Sequence, residues 1–212
     1  MPELVEKHRR FLPHHQETGQ IISLTWRLEG TLPHHIIALI QEMKSVLADK
    51  GDQLTDSLQL QLYEHYHQLL AMYDDQLGKH KPAGIDLSKP DFARVVTTAF
   101  HFYADSLYQL YAYCVMPNHI HLLIRPLPQK SGQYAKTSDI VRRIKGYTGF
   151  KLNELNNSTT TVWHPDYFDR FVRNAKDLYN LVQYILNNPH KAGLVTEQNA
   201  WPYSYLNPEI EW

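Results

Sequence analysis

The chain has 212 residues, 43% of them hydrophobic, enough for one large domain with a real core. Its one cysteine, Cys114, excludes a disulfide framework, and the absence of a signal-type or membrane-spanning apolar run predicts a soluble, cytoplasmic protein with no membrane association. A net charge of −1 argues against a uniformly basic nucleic-acid binder, yet residues 130–191 hold ten Lys and Arg against five Asp and Glu.

In chain order, residues 1–18 are polar and read as an irregular arm. Residues 19–28 alternate as a first strand. Pro33 opens an amphipathic helix with Ile36, Ile37, Ile40, Met43 and Leu47 on one side. A second helix spans about 55–77, with Leu58, Leu62, Tyr66, Leu69 and Tyr73 on its apolar side. Ser88 is placed to cap a third at about 90–104.

Next comes Tyr111–Arg125, which reads as strand, tight turn at Pro117-Asn118, and strand. A basic helix follows at about 138–155, then one or two short strands within 162–172. Asn174 caps a last helix that Pro189 is expected to end, and an aromatic tail closes the chain. This order predicts an α+β fold, a ferredoxin-like antiparallel sheet with helices on one face. The helices at about 33–77 form an insertion within a single domain at 19–205, leaving 206–212 as a tail.

Alternation along the second hairpin strand puts His119, His121, Leu123 and Arg125 on one face, and Ile120, Leu122 and Ile124 on the other. Two imidazoles side by side on a strand can share a metal ion. A chain with 13 His produces roughly one such spacing by chance, so spacing alone favours ordinary surface histidines over a metal role. A second pair, His65 and His67, falls on a predicted helix, where its side chains diverge by about 200°. On the last helix Tyr184 and Asn188 are four residues apart and share a face. A phenol there can attack phosphorus and an amide oxygen can complete a metal site, but ordinary packing gives a tyrosine the same position.

Met116-Pro-Asn-His-Ile-His-Leu-Leu-Ile resembles the histidine–hydrophobic–histidine (HUH) strand of single-tyrosine transposases. The C-terminal half is similar to REP-associated tyrosine transposases, members of the insertion-sequence-200-like group. The similarity runs through Ile144–Thr148, Val162–Arg170, Tyr184–Leu194 and Trp201–Ser204, covering about residues 100–205. It implies that His119, His121 and Asn188 hold a divalent metal, Mg²⁺ or Mn²⁺, and that Tyr184 is the nucleophile. It implies cleavage of single-stranded DNA beside hairpins through a 5′-phosphotyrosine, by a monomer or homodimer. Arg142, Arg143, Lys145, Lys151, Arg170 and Arg173 are then candidate DNA contacts. Tyr147 is a rival nucleophile, but its partner one turn on is Lys151, which cannot ligate a cation. Two other functions stay open: a domesticated hairpin-binding protein that no longer cuts, and a metal-dependent hydrolase with no covalent tyrosine.

Overall fold

A computed structural model describes residues 4–9, 13–17, 19–32, 36–38, 68–69, 71–82, 84–198 and 200–210. The chain divides into two compact units, one of Met1–Thr18 with Thr31–Lys81 and the other of Gly19–Gly30 with Pro82–Trp212. Among the described residues no helix is long and apolar enough to cross a membrane.

In the first unit, β1 (Leu4–Arg9) and β2 (Pro13–Glu17) pair antiparallel where the sequence suggested an irregular arm. The segment is too polar to display an alternating apolar face, so nothing local marks it as strand. Residues 36–38 and 71–79 are helical. Most of the helical pair expected at 33–77, and the His65/His67 pair, lie outside the described residues.

The second unit is an antiparallel five-stranded sheet in the order β6 (Phe168–Phe171), β3 (Ile22–Arg27), β5 (His119–Pro126), β4 (Tyr108–Val115) and β7 (Ser204–Leu206). This is the α+β architecture expected. Its central strand, β5, carries the histidines. Ile120, Leu122 and Ile124 are fully buried, in one core cluster with Val96 and Phe100 of α1 (Pro90–Tyr103) and Ile140, Ile144 and Leu152 of α2 (Thr137–Leu155). Burial of each such side chain contributes about 1.5–3 kcal/mol. The helical layer on one face is therefore present. The other face carries a helix as well. Leu123, Ala112, Cys114 and Met116 cluster with Leu178, Leu181, Val182 and Ile185 of α3 (Ala175–Lys191). That helix also brings Tyr184 and Asn188 to the histidine side of the sheet.

Two helix ends differ from the sequence expectation. Lys89, not Ser88, is the cap position of α1, followed by Pro90. The Ser88 hydroxyl instead donates to Asp86 Oδ1 at 2.5 Å. At the end of α3 the chain stays helical through Pro189 to Lys191. Proline has no N–H to give, but Ala192 N donates to Asn188 O and Leu194 N to Pro189 O, both at 2.9 Å. The exit comes at Gly193, whose φ of +68° is a left-handed conformation that glycine adopts without strain. The extra turn places Lys191 on the helix. Asn174 caps α3 as expected, accepting from Asp177 N at 2.9 Å.

Candidate active site

The turn before β5 is fixed by backbone hydrogen bonds. Leu28 N donates to Asn118 O at 2.8 Å, Leu87 N to Pro117 O at 2.9 Å, and Met116 N to His119 O at 2.9 Å. With its backbone held, β5 presents His119 and His121 on one face, each 1% exposed. Their rings lie 5.0 Å apart, nearly perpendicular.

Each imidazole is held through Nδ1. His119 Nδ1 donates to Asn118 Oδ1 at 2.6 Å, and His121 Nδ1 is hydrogen-bonded to Thr25 Oγ1 at 3.0 Å. Thr25 is the residue opposite His121 on β3. A carboxamide oxygen can only accept, so His119 carries its proton on Nδ1 and its lone pair on Nε2. That Nε2 is buried without a hydrogen-bond partner among the described residues. An orphaned polar atom of this kind costs about 1–3 kcal/mol. Burial, and then the neighbouring His121, push the His119 pKa well below its usual range, so the ring stays neutral. A neutral, oriented imidazole with a lone pair facing no protein donor fits a divalent metal ligand.

Tyr184, Asn188 and Lys191 form one stripe on α3 at i, i+4 and i+7. The Tyr184 ring lies 6.1 Å from that of His121, centroid to centroid. Asn188 is buried, and its Nδ2 donates to Tyr184 O at 3.1 Å, which aims its amide oxygen away from the helix's own carbonyl. Lys191 Nζ sits over the Tyr184 ring, 4.8 Å from its centroid, a cation–π contact. The structure thus gathers His119, His121 and Tyr184, with Asn188 one turn from the tyrosine.

The six candidate DNA cations have different settings. Lys145 is turned inward, donating to the carbonyls of His164 (2.8 Å), Pro165 (3.1 Å) and Asp166 (3.0 Å). Burial lowers its pKa to about 7, with Asp166 opposing. Three carbonyl acceptors suit an ammonium, which staples α2 to the loop before β6. Arg170 pairs with Asp177 at the start of α3, and Arg173 N donates to Asp177 Oδ2 at 3.1 Å. Arg142, Arg143 and Tyr147 are exposed on α2, with Phe150 beside them at 66% exposure. Lys151 Nζ lies 5.5 Å from the Phe150 ring. Arg142 and Lys151 make surface pairs with Asp139 (2.8 Å) and Glu154 (2.7 Å). Tyr147, the rival nucleophile, stands on α2, which packs over the sheet face opposite the histidines.

Sequence reasoning missed Thr25, Asn118 and Lys191. Asn118 adjoins His119 in the chain and was within reach of it. Thr25 required the register of a strand far away in sequence, and Lys191 required a helix that continues through a proline.

Residues 89–188 match the family model for IS200-like transposases. A 110-residue stretch is 31% identical to a Haemophilus influenzae protein assigned as a REP-associated tyrosine transposase, covering 49% of this chain and 62% of that protein. Another, of 107 residues, is 27% identical to the REP-associated tyrosine transposase of Escherichia coli K12, covering 50% and 59%. The matches thus span about six-tenths of these relatives' own length. A solved structure of a REP-associated tyrosine transposase bound to a REP hairpin aligns with a TM-score of 0.49 at 18% identity, over 94% of this chain and 82% of that one.

Proposed function

We propose, from the match of residues 89–188 to the family model for IS200-like transposases, that the chain is a metal-dependent endonuclease and strand transferase of that family, acting on single-stranded DNA beside hairpins. The observation that carries the proposal is the placement of the Tyr184 ring 6.1 Å from His121, on a helix packed over the histidine face. Every residue given a role in this reading lies in the unit of Gly19–Gly30 with Pro82–Trp212.

In this reading His119 and His121 hold Mg²⁺ or Mn²⁺ through Nε2, and the Asn188 amide oxygen is the third protein ligand. The ion, when bound, supplies positive charge at the scissile phosphate. Asn118 keeps His119 in the tautomer that leaves Nε2 available, and Thr25 holds the His121 ring in place. Tyr184 Oη attacks phosphorus, forming a P–Oη bond as the P–O3′ bond breaks. The phenolic proton leaves to solvent, and the departing 3′ oxygen takes a proton from water. The products are a 5′-phosphotyrosine and a free 3′-hydroxyl, and reversal with another 3′-hydroxyl rejoins the strand. Lys191, over the phenol ring, stands where negative charge gathers as the proton departs. The exposed face of α2, with Arg142, Arg143, Lys151, Tyr147 and Phe150, offers cations to the backbone and rings for base stacking, the latter worth about 1–3 kcal/mol per base.

The test is a denaturing gel with labelled single-stranded hairpin oligonucleotides, in Mn²⁺ or EDTA. Wild type is expected to form a covalent protein–DNA adduct only with Mn²⁺, and Tyr184→Phe to form none. An adduct that persists in Tyr184→Phe removes this tyrosine from its role. Cleavage without an adduct replaces the transferase with a hydrolase, and retarded but intact DNA replaces it with a binding protein.

A further inference from the structure

Gly146 stands near the middle of α2 and is exposed to solvent. Glycine weakens a helix interior relative to alanine, because it loses more backbone freedom on folding. Its presence there is explained when the backbone needs a positive φ, or when a neighbour fills the space of the missing Cβ. Neither applies to Gly146. The glycines with positive φ among the described residues are Gly19, Gly30, Gly132 and Gly193. A Cβ on Gly146 would meet nothing within 4 Å among those residues. One turn on, a Cβ on Gly149 would touch the Trp163 ring at 3.5 Å, and one on Gly19 would press on Tyr134 at 2.9 Å. What packs on those two positions accounts for them. The space over Gly146 is open.

The side chains that border this bare backbone share one chemistry. Arg142 and Arg143 lie one turn before Gly146, and Phe150, 66% exposed, lies one turn after it. Positions three and four apart share a helix face, so both cations and the ring flank the open strip. Tyr147, next in the chain, is 43% exposed. Asp139 is matched by Arg142 and Glu154 by Lys151, while Arg143 makes no ion pair among the described residues. Cations and a ring around an uncovered backbone, with these carboxylates already matched, complement a polyanion that carries flat apolar groups. A polynucleotide strand has that chemistry.

We propose that Gly146 is the point where a single nucleic-acid strand crosses α2 against the helix backbone, with a sugar or base filling the space of the missing side chain. Arg142 and Arg143 meet phosphates on one side of the crossing, and Phe150 stacks on a base on the other. The inference rests on the proposed reading of the chain as an enzyme of single-stranded DNA. It adds a close approach that cations and rings alone do not require.

The experiment compares wild type, Gly146→Ala and Gly146→Leu as metal-free whole chains. It measures melting and the binding of a labelled mixed-sequence single-stranded oligonucleotide, with Mn²⁺-dependent adduct formation followed in parallel. Gly146→Ala is expected to melt about 2–4 °C higher than wild type, since alanine favours the helix. It is nevertheless expected to bind the strand several-fold more weakly. Gly146→Leu should also melt above wild type and bind on the order of 10-fold more weakly, the loss of about one stacked base. Both should keep the wild-type salt dependence, because no phosphate contact is removed. Better folding joined to poorer binding marks a seat, and a purely structural glycine would not produce it. Melting below wild type in Gly146→Ala would make the glycine a requirement of the fold and overturn the proposal. Unchanged affinity in Gly146→Leu would overturn it too, whether or not adduct forms. So would a wild-type dimer, seen by sedimentation, that Gly146→Leu converts to monomer with DNA binding intact, because a second copy would then fill the space. Weaker binding by Gly146→Leu in a protein that never forms adduct supports the seat and sinks only the phosphotyrosine reading.

Discussion

The two faces of β5 solve opposite problems with side chains one residue apart. Ile120, Leu122 and Ile124 are fully buried against α1 and α2, where close packing supplies stability. His119 and His121 are as deeply buried, yet each is spent on orientation, with Nδ1 fixed and His119 Nε2 left without a hydrogen-bond partner among the described residues. One face lowers the free energy of the empty protein. The other leaves a buried polar atom unsatisfied at a cost of about 1–3 kcal/mol, so burial alone does not distinguish a core from a site.

The largest expected effect comes from breaking the apolar face. Leu122→Ala should destabilise the protein by about 2–5 kcal/mol, the lost transfer energy plus the cavity left behind. Urea unfolding of metal-free protein measures it. A loss below about 1 kcal/mol would mean that this face is not close-packed. On the other face the pattern inverts. His121→Ala should lower Mn²⁺ affinity by at least about 100-fold, and Thr25→Val, which leaves the ligand but not its support, by about 10-fold. Both should unfold close to wild type without metal. If Thr25→Val binds Mn²⁺ unchanged, the Thr25–His121 hydrogen bond has no part in holding the ring.

Acid sharpens the same contrast. His119 has a folded pKa well below its unfolded value, so below about pH 6.5 the unfolded chain takes up a proton that the folded protein refuses. Stability is therefore full above that pH and falls as pH drops, by up to about 1.4 kcal/mol per pH unit for this one group. His164, also lowered by burial, adds in the same direction. Urea unfolding between pH 7.5 and 5 should show the slope, and His119→Gln should flatten it. An equal slope in the variant would move the effect to other groups.

The β4–β5 hairpin, its two faces and the Asn174 cap were legible because each follows from neighbours in the chain: alternation, a Pro-Asn turn, an Asn three residues before Asp177. Thr25 was not, since its meaning is a register with His121, 96 residues away in the chain. The setting of Lys145 was hidden for a similar reason. A lysine on a basic helix looks like a phosphate contact until three carbonyls from a later loop are placed around it.

The smallest effects belong to the exposed face of α2, and they separate its two parts. Arg142–Asp139 and Lys151–Glu154 are exposed surface pairs, so losing them should leave unfolding unchanged. Against single-stranded DNA, Arg142→Ala, Arg143→Ala and Lys151→Ala should each weaken binding modestly and equally for all sequences. Each should also make the plot of log affinity against log salt shallower by about 0.7, the counterions one phosphate contact releases from a single strand. Phe150→Ala should weaken binding with no change in that slope, because stacking on a ring releases no counterion. Lys145→Met provides the internal control: its ammonium holds a loop rather than a phosphate, so it should lose stability while its salt slope matches wild type. A shallower slope in Lys145→Met would mean that the staple opens to reach DNA.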